Sequence, residues 1–391
     1  MDTYAPMVII EVGGATLPRD ISEHITSFSY EDHEDKMDEM KVTIVDMALS
    51  FVDDEQLQEG KEIRARWGYI GNLSPARICT IKEIRYQFGE DGVVKLDVTA
   101  LDKRHKLTGR SSRTCWKDSP IENVVSHIAT KHGLEPVIDI PNDRIREYIT
   151  EGGKNDLEFL KELAEDTGCS VWVYNEELHF EPNQLTAPVM SFRYREERDG
   201  YLIGFSATSK AEEGKGTGGE TETSGIDPMT KEPFKTRSSA DDVTVNLGNQ
   251  RVENETRYKP SDDETGRAIP SPAPMAGIAK QEGAGKVQTG AMKVVEGTAK
   301  TIGIPSLEAK DTITLENVGA KFSGLWRVKR VKHDISRSGY TCDLTLCKSD
   351  HNHGGGQRGA APKAQRGGSH ATSAGEAKKS LPPYIEQDLK N

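Results

Sequence analysis

The stretch YITEGGKNDLEFLKELAEDTGCSVWVYNEELHFEP, residues 148–182, carries the clearest local signals in the chain. Asn155, followed three residues later by Glu158, predicts a helix that begins with a capping box. Gly168 is typical of the left-handed residue at which such a helix ends. Apolar residues form one side of this helix, as expected for a core-facing stripe: Leu157, Phe159, Leu160, Leu163 and Ala164.

Two short runs of β-forming residues follow the helix. Ser170–Tyr174 and Leu178–Glu181 are joined by Asn175-Glu176, and this arrangement predicts a two-stranded hairpin. The simplest interpretation of the helix and hairpin is a small α/β packing unit without catalytic chemistry. It lies between two long strand-rich regions.

The region before this unit predicts strands throughout. Val42 and Ile44, and later Val94, Leu96 and Val98, alternate as the side chains of half-buried strands do. Six strands without a long helix favour a small closed or nearly closed barrel over residues 1–111. The predicted strands are Met7–Val12, Ile25–Tyr30, Met40–Asp46, Glu62–Tyr69, Ala76–Phe88 and Gly92–Leu101.

A second helix is predicted shortly before the opening stretch. Ser119-Pro-Ile-Glu122 has the pattern of a capping box with proline at the first helical position. Gly133 would end this helix, and Leu134–Ile140 would follow as a strand. Together with residues 148–182, these elements predict an α/β insertion over residues 112–184. The apolar stripe of this helix is Ile121, Val124, Val125, Ile128 and Ala129.

Strand patterns return after the insertion and predict a second barrel from residues 185–207 and 286–350. Residues 208–285 are predicted to form a polar, proline-rich extended insertion, and residues 351–391 a flexible glycine-rich tail. The predicted fold class is mainly β, with two similar small barrels flanking an α/β insertion. The strands of the second barrel are Val189–Tyr194, Tyr201–Ala207, Met292–Ile304, Thr312–Val318, Gly324–Asp334 and Gly339–Cys347.

The charge of the 391-residue chain is concentrated at its beginning. Residues 1–62 hold 16 acidic and 4 basic side chains, an excess equal to the formal net charge of −12 for the whole chain. An acidic first domain argues against binding of duplex DNA, which needs clustered Lys and Arg. The densest run, Glu31–Glu39, lacks the glycine and the final glutamate of an EF-hand loop, so we interpret it as a solvated loop or face.

The five cysteines have no CxxC spacing and predict reduced packing residues from a reducing compartment. The beginning of the chain lacks the pattern of a signal peptide, and no apolar run is long enough to span a membrane. We therefore expect synthesis in the cytoplasm.

No motif in the sequence predicts catalysis. The chain has no G-x-S-x-G, H-E-x-x-H, phosphate-binding loop or dinucleotide fingerprint. His127 and His132 are interpreted as residues of a polar helix face, and His351-Asn-His353 lacks further ligands. We thus expect no enzyme, and no catalytic, cofactor-binding or metal-binding residues.

Four sequence elements near the C-terminal end carry a family resemblance. They are Gly303–Leu307, Phe322–Val328, Val331–His333 and Gly339–Thr341. This region resembles the phage late control D family, the central hub proteins of contractile-tail baseplates, which include hubs similar to the N-terminal part of VgrG. Asp156–Phe180 looks like the helix and hairpin of the same family, and residues 25–46 are similar to its first barrel at lower specificity. Coverage is roughly residues 5–207 and 286–348, and the long polar segment 208–285 and Asp311 depart from the pattern.

The resemblance implies a structural role. Such hubs are homotrimers whose two barrels per subunit make a pseudo-sixfold ring between the sixfold tail tube and the threefold spike. The implied partners are the central spike, the tail tube or its initiator, the tape-measure protein and the baseplate wedge proteins. DNA or other cargo would pass through the channel without specific binding, and a lumen lined with carboxylates would repel it.

The resemblance also implies a place for the protein and a role for one histidine. The protein would be part of a virion tail baseplate assembled in the host bacterial cytoplasm, and His333 would be a structural hydrogen-bonding residue. Two alternatives from other classes are a tail-associated peptidoglycan hydrolase and a cell-wall-binding module built on residues 119–182.

Overall fold

The computed structural model of the chain describes fourteen segments. Most of the predicted polar insertion, the predicted tail 351–391 and His351-Asn-His353 lie outside them. The described residues are 5–47, 49, 51–52, 55–90, 92–111, 113–141, 143–195, 202–209, 221–226, 231–238, 269–270, 276–291, 295–319 and 321–348.

Strands make up most of the described part of the chain. The strands up to the end of the predicted insertion are β1 (Met7–Val12), β2 (Ala15–Thr16), β3 (Ile25–His33), β4 (Glu39–Asp46), β5 (Glu62–Tyr69), β6 (Asn72–Leu73), β7 (Arg77–Phe88), β8 (Val94–Leu101), β9 (Cys115–Ser119), β10 (Glu135–Ile138), β11 (Arg146–Thr150), β12 (Cys169–Tyr174) and β13 (Glu177–Pro182). The later strands are β14 (Met190–Arg193), β15 (Leu202–Ser209), β16 (Thr221–Ile226), β17 (Pro233–Ser238), β18 (Ile269–Pro270), β19 (Val295–Ile302), β20 (Thr312–Glu316), β21 (Gly324–Ser336) and β22 (Gly339–Lys348).

The helices are few and short. They are α1 (Arg19–Ser22), a 3-10 helix (Lys103–Thr108), α2 (Ile121–Lys131), α3 (Asp156–Thr167) and α4 (Ala276–Ala291). None of these helices combines the length and the apolar composition needed to cross a membrane.

A single curled sheet joins the strands of the two predicted barrels. Its main path runs β15-β19-β22-β21-β3-β4-β8-β7-β5-β1-β2, and β6, β14 and β20 complete the 14 described strands. The two halves meet where β21 pairs with β3 in antiparallel register, with His333 opposite Tyr30. The predicted fold class, mainly β with an α/β insertion, is confirmed.

One face of this sheet encloses a continuous hydrophobic core. Side chains of the first half, such as Phe28 and Trp67, belong to the same cluster as Val331 and Trp326 of the second half. The alternation that predicted the strands is the pattern of burial: on β8, Val94, Leu96, Val98 and Ala100 are all buried. Because the core is shared, the two halves pack as one body.

The insertion has its own core, in which α2 and α3 cover a three-stranded sheet of order β10-β13-β12. The capping box of α3 is confirmed: the Asn155 side chain accepts a hydrogen bond of 2.9 Å from the Glu158 amide. The helix ends at Gly168, which has a φ of 70°. The hairpin predicted across Asn175-Glu176 is formed by β12 and β13.

The predicted capping box at the start of α2 is wrong. Ser119 makes no capping bond, and Pro120 is the N-cap residue. The cap comes from Asp143, which lies 21 residues beyond Glu122. The Asp143 carboxylate accepts hydrogen bonds of 3.2 Å from the Ile121 amide and 2.9 Å from the Glu122 amide. A capping partner brought in by the tertiary fold has replaced the local one.

Part of the predicted extended insertion is also regular. Residues 276–285, assigned from sequence to the polar segment, begin α4, which continues to Ala291. This helix lies against α3 and against β16 and β17 of a separate three-stranded sheet. The sequence pattern did not predict this helix because the segment contains many Gly and Pro residues, which disfavour helices.

Candidate functional site

The tip of the β12–β13 hairpin docks on the first half of the sheet. Asn175 lies in the left-handed region, with a φ of 55°. Its side-chain oxygen accepts a hydrogen bond of 3.0 Å from the Ile78 amide, and its side-chain nitrogen donates one of 3.1 Å to the Ala76 carbonyl. The next residue, Glu176, accepts a bond of 2.6 Å from Lys103. The hairpin of the opening stretch therefore anchors the insertion to the strand that begins at Arg77.

Arg77 connects three parts of the chain. Its buried guanidinium lies 2.8 Å from the Glu308 carboxylate of the second half and 3.6 Å from Asp32 on β3. It also stands 4.2 Å from the centre of the Tyr174 ring in the insertion. Asp32 in turn accepts a hydrogen bond of 3.0 Å from the Ala309 amide.

A second arginine, Arg327 on β21, makes a similar connection. It donates two hydrogen bonds to Glu34 just after β3, of 3.1 Å from Nε and 2.8 Å from Nη2. Its Nη1 donates a third, of 2.6 Å, to the Gln184 carbonyl. Ser170 of the insertion donates to the same Glu34 carboxylate at 3.2 Å.

Arg104 lies between two buried aspartates, Asp38 and Asp102. Its guanidinium bonds Asp102 at 2.5 Å and also contacts Asp38, which accepts a bond of 2.9 Å from the Tyr30 hydroxyl. Burial raises the pKa of Asp38 to about 7 in spite of the nearby Arg104. Burial also opposes ionisation of Asp32, yet Lys310 and Arg77 bring its pKa below the ordinary value. We call Asp32, Glu34, Asp38, Arg77, Arg104 and Arg327, together with the groups that bond them, the ionic junction.

The prediction of a solvated acidic loop at Glu31–Glu39 is therefore wrong. Within that run only Asp35 and Lys36 are exposed, while Asp32, Glu34 and Asp38 are buried at 4%, 8% and 4% exposure. A sequence signal was present: Phe28, Tyr30, Asp32 and Glu34 are spaced by two, so the acids continue the buried side of β3. Burial of an unpaired carboxylate costs free energy, so burial of these side chains predicts basic partners elsewhere in the chain.

His333 is buried opposite Tyr30 and beside the Trp67 ring. Its Nε2 donates to the Leu307 carbonyl at 3.1 Å, and its Nδ1 accepts from the Tyr340 hydroxyl at 2.7 Å. Burial lowers the pKa of His333 to about 4, so the ring is neutral at physiological pH. The expected hydrogen-bonding role of this histidine agrees with these contacts.

The other residues singled out in the sequence are dispersed. His132 bonds Asp156 at 2.5 Å, and His127 lies on the exposed side of α2 beside Trp116. Four of the five free cysteines are buried, whereas Cys115 is exposed, so the packing role predicted for it is wrong. No group of three or more potential metal ligands occurs within the described segments.

The sheet face opposite the core is mostly polar across eight strands, with Ile302 exposed at the end of β19. Registers place Thr298, Thr345, Arg330 and His33 in one row across β19, β22, β21 and β3. Its charges are largely paired. Glu31 accepts bonds of 2.5 and 2.8 Å from Arg330, Lys300 lies 3.4 Å from Asp343, and Lys332 lies 3.3 Å from Asp334. We call this surface, from β15 to β7, the polar sheet face.

The sequence matches the model of one protein family, described as the Alg8 N-terminal domain, over residues 3–337. The chain belongs to the Alg8 N-terminal domain family. The matched part includes the ionic junction and ends just after β21. No curated protein sequence matches the chain.

Solved structures with the same fold include several tail proteins. A tail protein from Neisseria meningitidis MC58 is similar with a TM-score of 0.65 and 11% identity, over 89% of this chain and 98% of that one. The 43 kDa tail protein of prophage MuSo2 from Shewanella oneidensis gives a TM-score of 0.63 and 11% identity, over 89% and 99%. A type VI secretion component from E. coli, described as similar to T4 bacteriophage tail proteins, gives 0.55 and 10%, over 88% and 78%. This member of the Alg8 N-terminal domain family thus has a tail-protein fold.

Proposed function

We propose that the chain is a structural, non-enzymatic hub of a contractile-tail baseplate, related to the late control D proteins. Three copies would form a ring that adapts a sixfold tail tube to a threefold spike and encloses a channel. The fold shared with tail proteins supports this proposal. The observation that carries it is a run of eight antiparallel strands whose first edge is unpaired among the described strands and whose last edge is paired only in part.

The eight strands are β15-β19-β22-β21-β3-β4-β8-β7, and each is antiparallel to the next. At one end, β15 pairs only with β19 among the described strands, and at the other, β7 pairs with β5 only over Arg77–Thr80. Exposed strand edges are templates for further pairing.

The number of strands makes a closed ring possible. Because eight is even, β15 and β7 run in opposite directions within one copy. In a ring whose copies all face the same way, β15 of one copy would therefore meet β7 of the next in antiparallel orientation. Such head-to-tail contacts close when the rotation per copy divides the circle, as a threefold rotation does.

In this ring the polar sheet face would line the channel. Its Ser and Thr side chains, among them Ser27, Thr43 and Thr298, offer small neutral groups. Its basic side chains Arg330, Lys300 and Lys332 are held by carboxylates. A phosphate backbone would have to displace these carboxylates to bind, so DNA or other cargo would slide without specific binding.

The remaining assignments follow from the hub role. Residues 1–111 and residues 185–207 with 286–350 would be the two barrels, and residues 112–184 the insertion that braces them. The partners would be the central spike, the tail tube or its initiator, the tape-measure protein and the wedge proteins, in the tail baseplate of a virion or related injection particle.

Two measurements test the proposal on the full-length chain. Native mass spectrometry should give a homotrimer, and a monomer at micromolar concentration would reject the hub. In a Cys115→Ser background, the pair Arg85→Cys and Ser206→Cys should cross-link with a short bis-maleimide into a covalent trimer. Each single variant is the control and should yield no trimer. A trimer that resists cross-linking would reject edge pairing while leaving the oligomer in place.

A further inference from the structure

The helix α4 has little intrinsic or apolar stability. Its sequence AGIAKQEGAGKVQTGA contains four glycines, and glycine is among the poorest helix formers. Among the side chains that the structure describes, the apolar cluster of α4 comprises Ile278 and Ala279, with Phe234 packed against them. This described cluster is much smaller than the core of the insertion, so the position of α4 depends on what else holds it to α3.

Backbone contact provides one part of that attachment. A Cβ atom at Gly285 would lie 2.6 Å from both the Asp166 carbonyl oxygen and the Gly168 amide nitrogen. The two helices therefore touch main chain to main chain at the C-terminal end of α3. Such a contact is close but buries little apolar surface, so it adds little hydrophobic stabilisation.

The other part is a charged cluster between α4, α3 and β11. Arg146 bonds Glu282 at 3.2 Å, and both side chains are about nine-tenths buried. Arg146 Nε and Nη2 have no hydrogen-bond partner among the described residues, and buried unpaired donors are costly. Lys286 lies 3.7 Å from Asp166. The docked helix thus confines charged groups that water would solvate better.

Asp166 makes this cluster sensitive to pH. It faces Glu282 and Lys286 from α4, Arg146 from β11 and Glu162 from its own helix. Burial, followed by repulsion from Glu282, raises the pKa of Asp166 to about 6. A carboxyl whose pKa is raised in the docked state favours docking when protonated and opposes it once pH rises through that value.

We propose that α4 is a reversibly docked strap that leaves the end of α3 without unfolding the rest of the molecule, and does so more readily at neutral than at acidic pH. Release uncovers the C-terminal turn of α3 and the Arg146 guanidinium. Local opening occurs in the least stable parts of a fold. The glycines of α4, its small apolar cluster and the unpaired Arg146 donors beneath it make α4 such a part.

Thiol labelling of the full-length chain tests the strap. Ala279→Cys and Ile278→Cys place a thiol on the buried side of α4, at positions that are 0% and 3% exposed. The native Cys79, 0% exposed in the core of the large sheet, is the internal reference. Iodoacetamide labelling is read peptide by peptide and divided by the rate in the denatured chain at the same pH. Both new thiols should react at least ~10-fold faster than Cys79 at pH 7.5.

Charge variants test the pH dependence in the Ala279→Cys background. Asp166→Asn should slow labelling of the introduced thiol at both pH values, and the slowing should be about 10-fold greater at pH 7.5 than at pH 5. Glu165→Gln, which removes a neighbouring charge, is the matched control and should have no effect. The strap is rejected if Ala279→Cys labels as slowly as Cys79, whatever Ile278→Cys does. Its pH dependence is rejected if Asp166→Asn leaves the rate unchanged or raises it.

Discussion

The guanidinium of Arg327 holds the carboxylate of Glu34, 293 positions earlier in the chain, by hydrogen bonds of 3.1 and 2.8 Å. Both side chains are less than a tenth exposed. The pair ties β21 to the end of β3, and Ser170 and Gln184 bring the insertion and the segment after it to the same point. A single ionic contact thereby fixes three parts of the proposed hub.

Removing one member of this pair should be strongly destabilising. In Arg327→Met the Glu34 carboxylate stays buried without its main partner, and loss of one side of a buried ion pair costs about 3–5 kcal/mol. Chemical unfolding followed by tryptophan fluorescence should show a much lower midpoint.

The exposed pair Arg193–Glu316 is the matched control for that experiment. Its Nε to Oε2 distance is 2.5 Å, but its side chains are 43% and 39% exposed. Arg193→Met should cost less than about 1 kcal/mol because solvent screens such pairs. Equal losses of unfolding free energy in Arg327→Met and Arg193→Met would mean that burial does not strengthen the Arg327–Glu34 pair.

Asn175 should matter both for the turn and for docking of the insertion. Asn175→Gly keeps the left-handed backbone but loses the bonds to Ile78 and Ala76, so we expect a loss of about 1–3 kcal/mol. Asn175→Ala should cost about 1 kcal/mol more because alanine disfavours a positive φ. Thermal unfolding of the two variants measures both the loss of the side-chain hydrogen bonds and the cost of the positive φ. A glycine variant as stable as the parent would exclude a docking role for Asn175.

The elements that local sequence predicted are those whose signals lie within a few residues. The capping box at Asn155, the stop at Gly168 and the alternation along β8 all depend on near neighbours, and all appear in the structure. The cap of α2 was missed because Asp143 reaches it from 21 and 22 residues away. Local signals cannot identify a partner that only the fold brings near.

The ionic junction shows the same limit more clearly. The spacing of Asp32 and Glu34 with Phe28 and Tyr30 indicates burial, but it does not identify Arg77 or Arg327 as their partners. Those pairings depend on β21 lying beside β3 and on the insertion folding over both. The acidic run therefore predicted a solvated surface, whereas the fold uses it as an internal connection.

Gly303, the first residue of the Gly303–Leu307 element, has a steric reason to be glycine. A Cβ atom there would lie 2.0 Å from Cγ of Tyr340, in a clash with the ring whose hydroxyl bonds His333. Gly303→Ala should therefore displace Tyr340 and cost about 3 kcal/mol. Gly204→Ala, where a Cβ meets nothing within 4 Å, is the control and should change the melting temperature little. Similar melting temperatures for the two variants would contradict the close packing at Tyr340.

His333 should make the stability of the fold depend on pH. Burial lowers its pKa from 6.5 to about 4. Between pH 4 and pH 6.5, His333 is therefore protonated in the unfolded chain and neutral in the folded chain. Stability from this group is complete above about pH 6.5 and falls as pH drops towards 4, by about 3 kcal/mol. His333→Gln should remove that part of the slope in urea unfolding between pH 4.5 and 7. His127→Gln, on an exposed helix face, should keep the parental slope. Parental slopes in both variants would show that other groups carry the dependence.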